Sequence, residues 1–218
     1  MPLATRHRHD AAPELAPLPG LVVRLETDAG DMAALQGRTG EEMAARFADG
    51  HRAYAAWWQG APAAWGWVAT RAARIGELDA AFAVPSGERY LWNFVTLKSH
   101  RGLGIYPRLL DAIVRAESAE AERFWVAYAP ENHASGAGIR KAGFATVAEL
   151  SFDAAGRPAL RATGQGGAVA AQTLGLPEAA EALAACWRCA RAAKPVAMSC
   201  RAGECRCDYQ RPEVVCAA

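Results

Sequence analysis

A strand, a glycine turn and an amphipathic helix follow one another between residues 89 and 120, and this succession constrains the fold most strongly. Residues 89–97 are predicted to form a strand with apolar side chains on both faces, a pattern typical of a strand covered on two sides. Strict alternation would place Tyr90, Trp92, Phe94 and Thr96 on one face, and Leu91, Asn93, Val95 and Leu97 on the other. The turn and a helix over about 105–120 come next. This order of elements predicts an α/β fold.

The remaining pattern extends this unit into one mixed domain. Helical periodicity recurs in two stretches within 31–49, separated near 37–40, and again over 132–142. Further strands are predicted at the following ranges: 21–25, 51–59, 63–70, 124–129 and 144–152. The order of elements favours a mixed central sheet flanked by helices.

Four segments are predicted along the chain. Residues 1–20, which contain four prolines, are predicted to be a loosely ordered arm, and residues 21–152 hold the α/β domain. Residues 153–175 are rich in Gly and Ala and are predicted to be a linker. Residues 176–218 are predicted to form a helix and a small Cys-rich C-terminal extension.

Charge and hydropathy exclude several classes of function. The 24 basic and 23 acidic residues nearly balance, so we expect neither nucleic-acid nor membrane binding. No apolar run reaches the roughly 18 residues that a membrane-spanning helix needs. The basic N-terminus lacks the apolar stretch of a secretory signal. We therefore expect a cytoplasmic protein with reduced thiols.

The glycine turn has the chemistry of a phosphate site. Between a strand and a helix, a turn containing Gly102 and Gly104 leaves backbone N–H groups free at a helix N-terminus. The helix dipole adds partial positive charge there, and small residues let phosphate approach the backbone. A tight turn without any ligand is the alternative, since two glycines alone are too short a signature for a nucleotide site.

Two motifs resemble those of one enzyme family. Arg101-x-x-Gly104-x-Tyr106 resembles the acetyl-CoA pyrophosphate loop of GNAT acyltransferases, Arg/Gln-x-x-Gly-x-Gly/Ala, and Tyr106 departs from its last position. Downstream, Asn132-x-x-Ser135 followed by Gly143-Phe144 is similar to the family's Asn-x-x-Ser…Gly-Phe segment. The resemblance covers roughly residues 21–152.

The resemblance implies an N-acetyltransferase that uses acetyl-CoA as co-substrate. The acyl group would pass directly to an amine of a small molecule or peptide, without a covalent enzyme intermediate. The pantetheine arm would pair with backbone groups of Phe94, Val95 and Thr96, one of which would polarise the thioester carbonyl. Asn132 and Ser135 would face the cofactor. The turn would hold the diphosphate through Arg101, Gly102, Leu103, Gly104, Ile105 and Tyr106.

Proton transfer is where the chain departs from the family. Many relatives have a tyrosine that protonates the thiolate seven residues after the motif Asn, where this chain has Ile139. Tyr128 and His133 are alternative donors. Candidate catalytic residues near the large strand are Glu88, as a base, and Asn93, which cannot act as a base but could orient substrate or water. A glutamate in this position is more often a solvated charge at the end of a strand, which is the alternative for Glu88.

The tryptophans at 57, 58, 65, 67 and 92 have two interpretations. Packing in the core of a sheet accounts for most of them. A subset could instead line a pocket for an apolar or aromatic amine acceptor.

Six cysteines lie between residue 186 and the end of the chain, and none precedes them. Thiolates at such spacing can hold zinc tetrahedrally. The candidate metal ligands are Cys186, Cys189, Cys200, Cys205 and Cys207, with Cys216 completing the cluster. Disulfides, a redox-responsive thiol cluster and an iron–sulfur centre are the alternatives.

Three functions therefore compete at the level of sequence. The first is an acyl-CoA-dependent N-acyltransferase. The second is a non-catalytic acyl-CoA-binding module with a metal- or redox-sensing cysteine tail, and the third is a metal-handling protein.

Overall fold

The structure is a computed structural model that describes residues 1–153 and 155–179. The chain divides into two compact units. The larger unit comprises residues 4–72 and 84–145, and the smaller one comprises 1–3, 73–83 and the described residues from 146 onward. Within the described part of the chain, no helix is both long and apolar enough to span a membrane.

The described residues form ten strands and five α-helices. The strands are β1 Pro2–His7, β2 Leu21–Glu26, β3 His51–Trp58, β4 Ala61–Ala69, β5 Ala72–Ile75, β6 Ala80–Ala83, β7 Glu88–Thr96, β8 Arg123–Ala127, β9 Ala145–Phe152 and β10 Pro158–Ala162. The helices are α1 Ala29–Gln36, α2 Gly40–Ala48, α3 Ile105–Glu117, α4 His133–Lys141 and α5 Gly167–Leu174, with 3-10 turns at Gly76–Leu78 and Lys98–His100.

The larger unit is built on a mixed sheet in the order β1-β8-β7-β4-β3-β2. Strands β2, β3, β4 and β7 pair antiparallel in succession, whereas β7 and β8 are parallel. Helix α3 connects these two parallel strands, as a parallel crossover requires. The predicted mixed sheet and the helices that follow the glycine turn are therefore confirmed.

Helices cover the two faces of this sheet with separate cores. On one face, α3 and α4 bury residues such as Leu109, Ile113 and Ile139 against the sheet. On the other face, α1 and α2 bury Met32 and Met43 against the tryptophans of β4. Burial of apolar surface on both faces explains why the central strands read as nearly continuous apolar runs.

Local capping explains why residues 29–48 form two helices rather than one. Helix α1 begins after Asp28, whose carboxylate accepts the N–H of Asp31, and ends at Gly37 in the left-handed conformation. Helix α2 begins with a capping box in which Thr39 and Glu42 each accept the other's backbone N–H. The two predicted helical stretches and the break between them are confirmed.

The prediction of a loosely ordered arm over residues 1–20 is wrong for its first part, since residues 2–7 form β1. Thr5 donates its hydroxyl to the carbonyl of Phe124 at 3.0 Å. Arg6 is buried and donates to Asp111 Oδ1 at 2.9 Å and to the carbonyl of Ala142 at 3.0 Å. β1 was missed because a strand that contains a buried arginine shows no apolar alternation. The ion-pair partner that makes this burial possible, Asp111, is distant in sequence.

The smaller unit holds the antiparallel pair of β9 with β10, the pair of β5 with β6, and α5. The prediction of a linker over 153–175 is therefore wrong. Leu160 and Ala170 are fully buried, which shows that this segment packs as part of the folded unit although it is rich in Gly and Ala. The predicted cysteine-rich extension of 176–218 lies almost wholly outside the described residues, as do all six cysteines.

Candidate functional site

A gap opens between the parallel strands β7 and β8. Their pairing covers only Glu88–Leu91 against Arg123–Val126. Beyond Leu91, β7 continues to Thr96 and pairs there with β4 alone among the described residues. Half of the backbone groups in this last part of β7 therefore face the gap without a strand partner, and an extended ligand can pair with them.

A bulge at Asn93 shapes the open part of β7. Asn93 has a φ of 51°, in the left-handed region that asparagine tolerates better than most residues. Trp92 pairs with Trp67 and Val95 pairs with Trp65, so two residues of β7 oppose Gly66 alone. A bulge of this kind twists the strand and re-aims its backbone groups.

The bulge also overturns the predicted distribution of side chains. Phe94 packs with Leu91 on the face of α3, whereas Trp92 and Val95 share the face of α1 and α2. Strict alternation had placed Phe94 with Trp92, which is wrong beyond Asn93. The extra residue shifts the side chains after it to the opposite face.

The glycine turn places backbone donors at the start of α3. Gly102 and Gly104 have φ values of 81° and 70°, which favour glycine, and Gly104 is the N-cap of α3 without a side-chain cap. Within the described residues, the N–H groups of 102–106 donate no hydrogen bond to the protein. Free N–H groups at a helix N-terminus attract an anion.

Two guanidinium groups flank this turn. Arg101 donates Nε to the carbonyl of Thr96 at 3.2 Å. Arg108 donates Nη1 to the carbonyl of Gly104 at 2.6 Å and Nε to that of Ala16 at 3.1 Å. Neither arginine forms an ion pair with a carboxylate in the described part of the chain, so both leave positive charge beside the free N–H groups.

The second motif lies at the start of α4, close to the glycine turn. Asn132 caps α4 by accepting the N–H of Ser135 at 3.0 Å. The Ser135 hydroxyl lies 3.4 Å from that of Tyr106 in α3. The fold thus brings Tyr106 and Ser135 from the two motifs together.

Two tyrosines pack on the glycines of α4, a feature that sequence reasoning missed. A Cβ at Gly138 would lie 2.4 Å from the Tyr106 ring, and a Cβ at Gly136 would lie 2.7 Å from the Tyr128 ring. Burial raises the pKa of Tyr106 to about 12, with the Ser135 hydrogen bond opposing and the neighbouring Tyr128 adding to the shift. The sequence does carry one indication of this packing. Two glycines spaced Gly-x-Gly within a predicted helix, where glycine is otherwise unfavourable, indicate a close approach of another group.

The candidate proton-transfer residues are spread through the unit. Glu88, the first residue of β7, accepts Trp125 Nε1 at 2.5 Å and lies beside the paired part of the strand, not the open part. It is not brought together with Asn93. Ile139 is fully buried in the core, and His133 is exposed at the start of α4. Tyr128 follows β8 at the mouth of the gap.

No metal site is found in the described ranges, since no three His, Cys, Asp or Glu side chains come together there. The predicted zinc ligands lie outside those ranges. Zinc binding by the cysteines therefore stays a prediction.

Comparison with known proteins gives distant structural similarity only. No family model and no curated protein matches the chain. A GCN5-related N-acetyltransferase from Kribbella flavida is 19% identical with a TM-score of 0.46, and the match covers 66% of this chain but only 53% of that one.

Two further solved structures are similar to the chain at the same level. A GNAT-family acetyltransferase from Streptococcus pneumoniae is 18% identical, with a TM-score of 0.44 and coverage of 60% of this chain and 88% of that one. The aminoglycoside N-acetyltransferase AAC(6')-Iy, solved with CoA, is 18% identical, with a TM-score of 0.46 and coverage of 64% and 97%. The solved structures similar to this chain thus include GNAT acetyltransferases, the family that its two motifs resemble.

Proposed function

We propose that the larger unit binds acyl-CoA and transfers its acyl group to an amine. The observation that carries this proposal is the combination of an open parallel-strand gap with unused backbone donors at the adjacent helix N-terminus. The gap suits an extended, amide-containing chain, and the turn suits a diphosphate. Coenzyme A joins these two chemistries in one molecule.

The residues at the turn fit a diphosphate on grounds of space and charge. A Cβ at Gly102 would meet nothing within 4 Å, so the backbone there is open to a ligand. Arg101 and Arg108 lie beside it without carboxylate partners among the described residues. The positive charge of the two arginines and the helix dipole both attract an anion to the turn.

The open part of β7 provides the means of activating a thioester. Backbone N–H groups in the segment from the Asn93 bulge to Thr96 are fixed donors that can polarise a carbonyl oxygen. In this proposal the backbone of Phe94, Val95 and Thr96 pairs with the pantetheine arm. Asn132 and Ser135 contact the cofactor from the start of α4. The acceptor amine then attacks the carbonyl carbon directly, and the carbon–sulfur bond breaks.

Thermal denaturation with and without acetyl-CoA tests the diphosphate site. Acetyl-CoA should raise the Tm of the native chain, and Gly104→Glu should abolish the shift because its carboxylate faces the diphosphate. Gly87→Glu is the control for backbone strain: Gly87 also has positive φ (80°), but it lies at the opposite end of β7. A Cβ at Gly104 would meet Arg108 Nη1, the end of a flexible side chain, at 2.5 Å, whereas one at Gly87 would meet nothing within 4 Å. Equal protection of both variants would show that the turn is not the diphosphate site.

A further inference from the structure

The face of the sheet under α1 and α2 carries an aromatic cluster, formed by Trp65, Trp67 and Trp92. Trp67 and Trp92 contact each other with ring centroids 6.2 Å apart, and His51 meets the edge of Trp92 at 5.0 Å. Trp67 is fully buried, whereas Trp92 and His51 are half-buried. The cluster is therefore open to solvent on the side of Trp92.

Arg46 of α2 stacks on this cluster without a counter-ion. Its guanidinium carbon lies 5.0 Å from the Trp67 ring and 4.8 Å from the Trp92 ring. Its one hydrogen bond within the described residues goes to Gln36 Oε1 at 3.4 Å, and the neighbouring Glu42 pairs instead with Arg38.

The electrostatic environment of Arg46 is unfavourable to its charge. Burial and the positive charge of Arg38 lower the pKa of Arg46, and Glu42 opposes them. A partly buried cation without a carboxylate partner is costly, so an anion bound beside it would be stabilised.

The same cluster has buried nitrogen atoms without partners. The indole Nε1 atoms of Trp65 and Trp92, and Nδ1 of His51, are buried and lack a hydrogen-bond partner in the described part of the chain. Trp65 is only 7% exposed. An indole N–H is a donor only, and Gln36 Oε1 already accepts from Arg46 and from Trp67 Nε1, so the donors of this region outnumber its oxygen acceptors among the described residues. A ligand that supplies oxygen acceptors fits this imbalance.

The cluster adjoins the open part of β7 on the face away from the glycine turn. Phe94 contacts Tyr106 of α3 with ring centroids 5.5 Å apart, so the turn and α3 belong to the face of Phe94. Trp92 and Val95 lie on the other face, on either side of the bulge. Of the three tryptophans of the cluster, the partly exposed Trp92 is therefore the one that a second substrate on this face can contact.

We infer that the acceptor is an apolar or aromatic α-amino acid, whose carboxylate binds Arg46 and whose side chain packs on Trp92 and Val95. This inference rests on the proposed acyl transfer. The neutral amine forms a bond to the thioester carbonyl carbon, the carbon–sulfur bond breaks, and the proton lost from nitrogen balances the one gained by the thiolate. The carboxylate is unchanged and serves only in recognition.

Equilibrium binding in the absence of CoA tests the recognition step. The probes are L-phenylalanine and phenethylamine, which differ by the carboxylate, and the readout is the tryptophan fluorescence of the full chain. L-Phenylalanine should bind the native chain roughly tenfold more tightly or better. Arg46→Gln should remove this preference, and Arg46→Lys should retain part of it. Arg24→Gln, in β2, removes an exposed guanidinium that also lies over a tryptophan ring, that of Trp57, and should leave the preference unchanged.

Three outcomes would overturn the inference: equal affinity of the native chain for the two probes, no measurable binding of either, or an undiminished preference in Arg46→Gln. The acetyl-CoA thermal shift, measured in parallel, separates this failure from that of the proposed function. If the shift is present but the preference is absent, only the acceptor assignment fails. If the preference is present but the shift is absent, the proposed transfer fails.

Discussion

The ring of Phe94 lies directly over Gly66 of the neighbouring strand, so closely that a Cβ at Gly66 would be 2.0 Å from Phe94 Cε1. The bulge at Asn93 turns Phe94 toward α3, and the absence of a side chain at Gly66 leaves room for the ring. Gly66 therefore supports the shape of the strand that borders the gap.

Gly66→Ala should destabilise the chain and weaken the protection by acetyl-CoA. The new methyl group overlaps the Phe94 ring, which must move, and overpacking of this kind costs about 1–3 kcal/mol. Urea denaturation measures the loss. Adding Phe94→Leu in the same chain should recover part of it, because a smaller side chain removes the overlap. An undestabilised Gly66→Ala variant would contradict the packing described here.

Regular periodicity was sufficient to predict the central elements, and departures from periodicity explain the errors. β7, α3 and α4 follow clear patterns, and the structure has all three. Asn93 looks like an ordinary strand residue in the sequence, and nothing there shows that two residues oppose Gly66. The reversal of Phe94 therefore could not be read from alternation.

Long-range pairs account for the other errors. β1 is held in the larger unit by the buried pair of Arg6 and Asp111, which lie far apart in the sequence. Tyr106 and Tyr128 pack on α4 because its glycines leave room for their rings. These contacts join residues distant in sequence, so they could not be predicted from local pattern. The glycine turn itself was predicted correctly, since its geometry depends on local residues alone.

Gly138→Ala should destabilise the chain although alanine favours helices. In an ordinary helix this change would stabilise by up to about 1 kcal/mol. Here the Cβ would lie 2.4 Å from Tyr106 Cδ1, and the ring must shift away from α4. The double variant with Tyr106→Ala should recover the helical gain in a double-mutant cycle. Gly40→Ala, at an open position of α2, is the control and should be neutral or stabilising. If Gly138→Ala destabilised the native chain and the Tyr106→Ala variant equally, the contact between Gly138 and the Tyr106 ring would be contradicted.

Glu117→Gln should be far more destabilising than Glu120→Gln. The Glu117 side chain is fully buried and accepts from Tyr54 at 2.6 Å and from Arg89 and Arg52 at 2.9 Å each. Neutralising it leaves the buried Arg89 without its main counter-charge, which should cost about 3 kcal/mol. Glu120 contacts the same two arginines from an exposed position, where solvent screens the interaction. Similar free energies of unfolding for the two variants would contradict this difference.

Stability should fall more steeply at alkaline pH in the native chain than in Tyr106→Phe. Burial raises the pKa of Tyr106 to about 12 from its ordinary value of 10, so the folded state favours the neutral phenol. The unfolded state loses this proton first as pH rises above 10, and stability is lost between about pH 10 and 12, at up to roughly 1.4 kcal/mol per pH unit. Urea denaturation at a series of pH values, together with the difference in tyrosinate absorbance between the two chains, measures the effect. If the absorbance difference titrates near pH 10, Tyr106 is accessible to solvent, and the contact of its ring with Gly138 and Phe94 does not persist in solution.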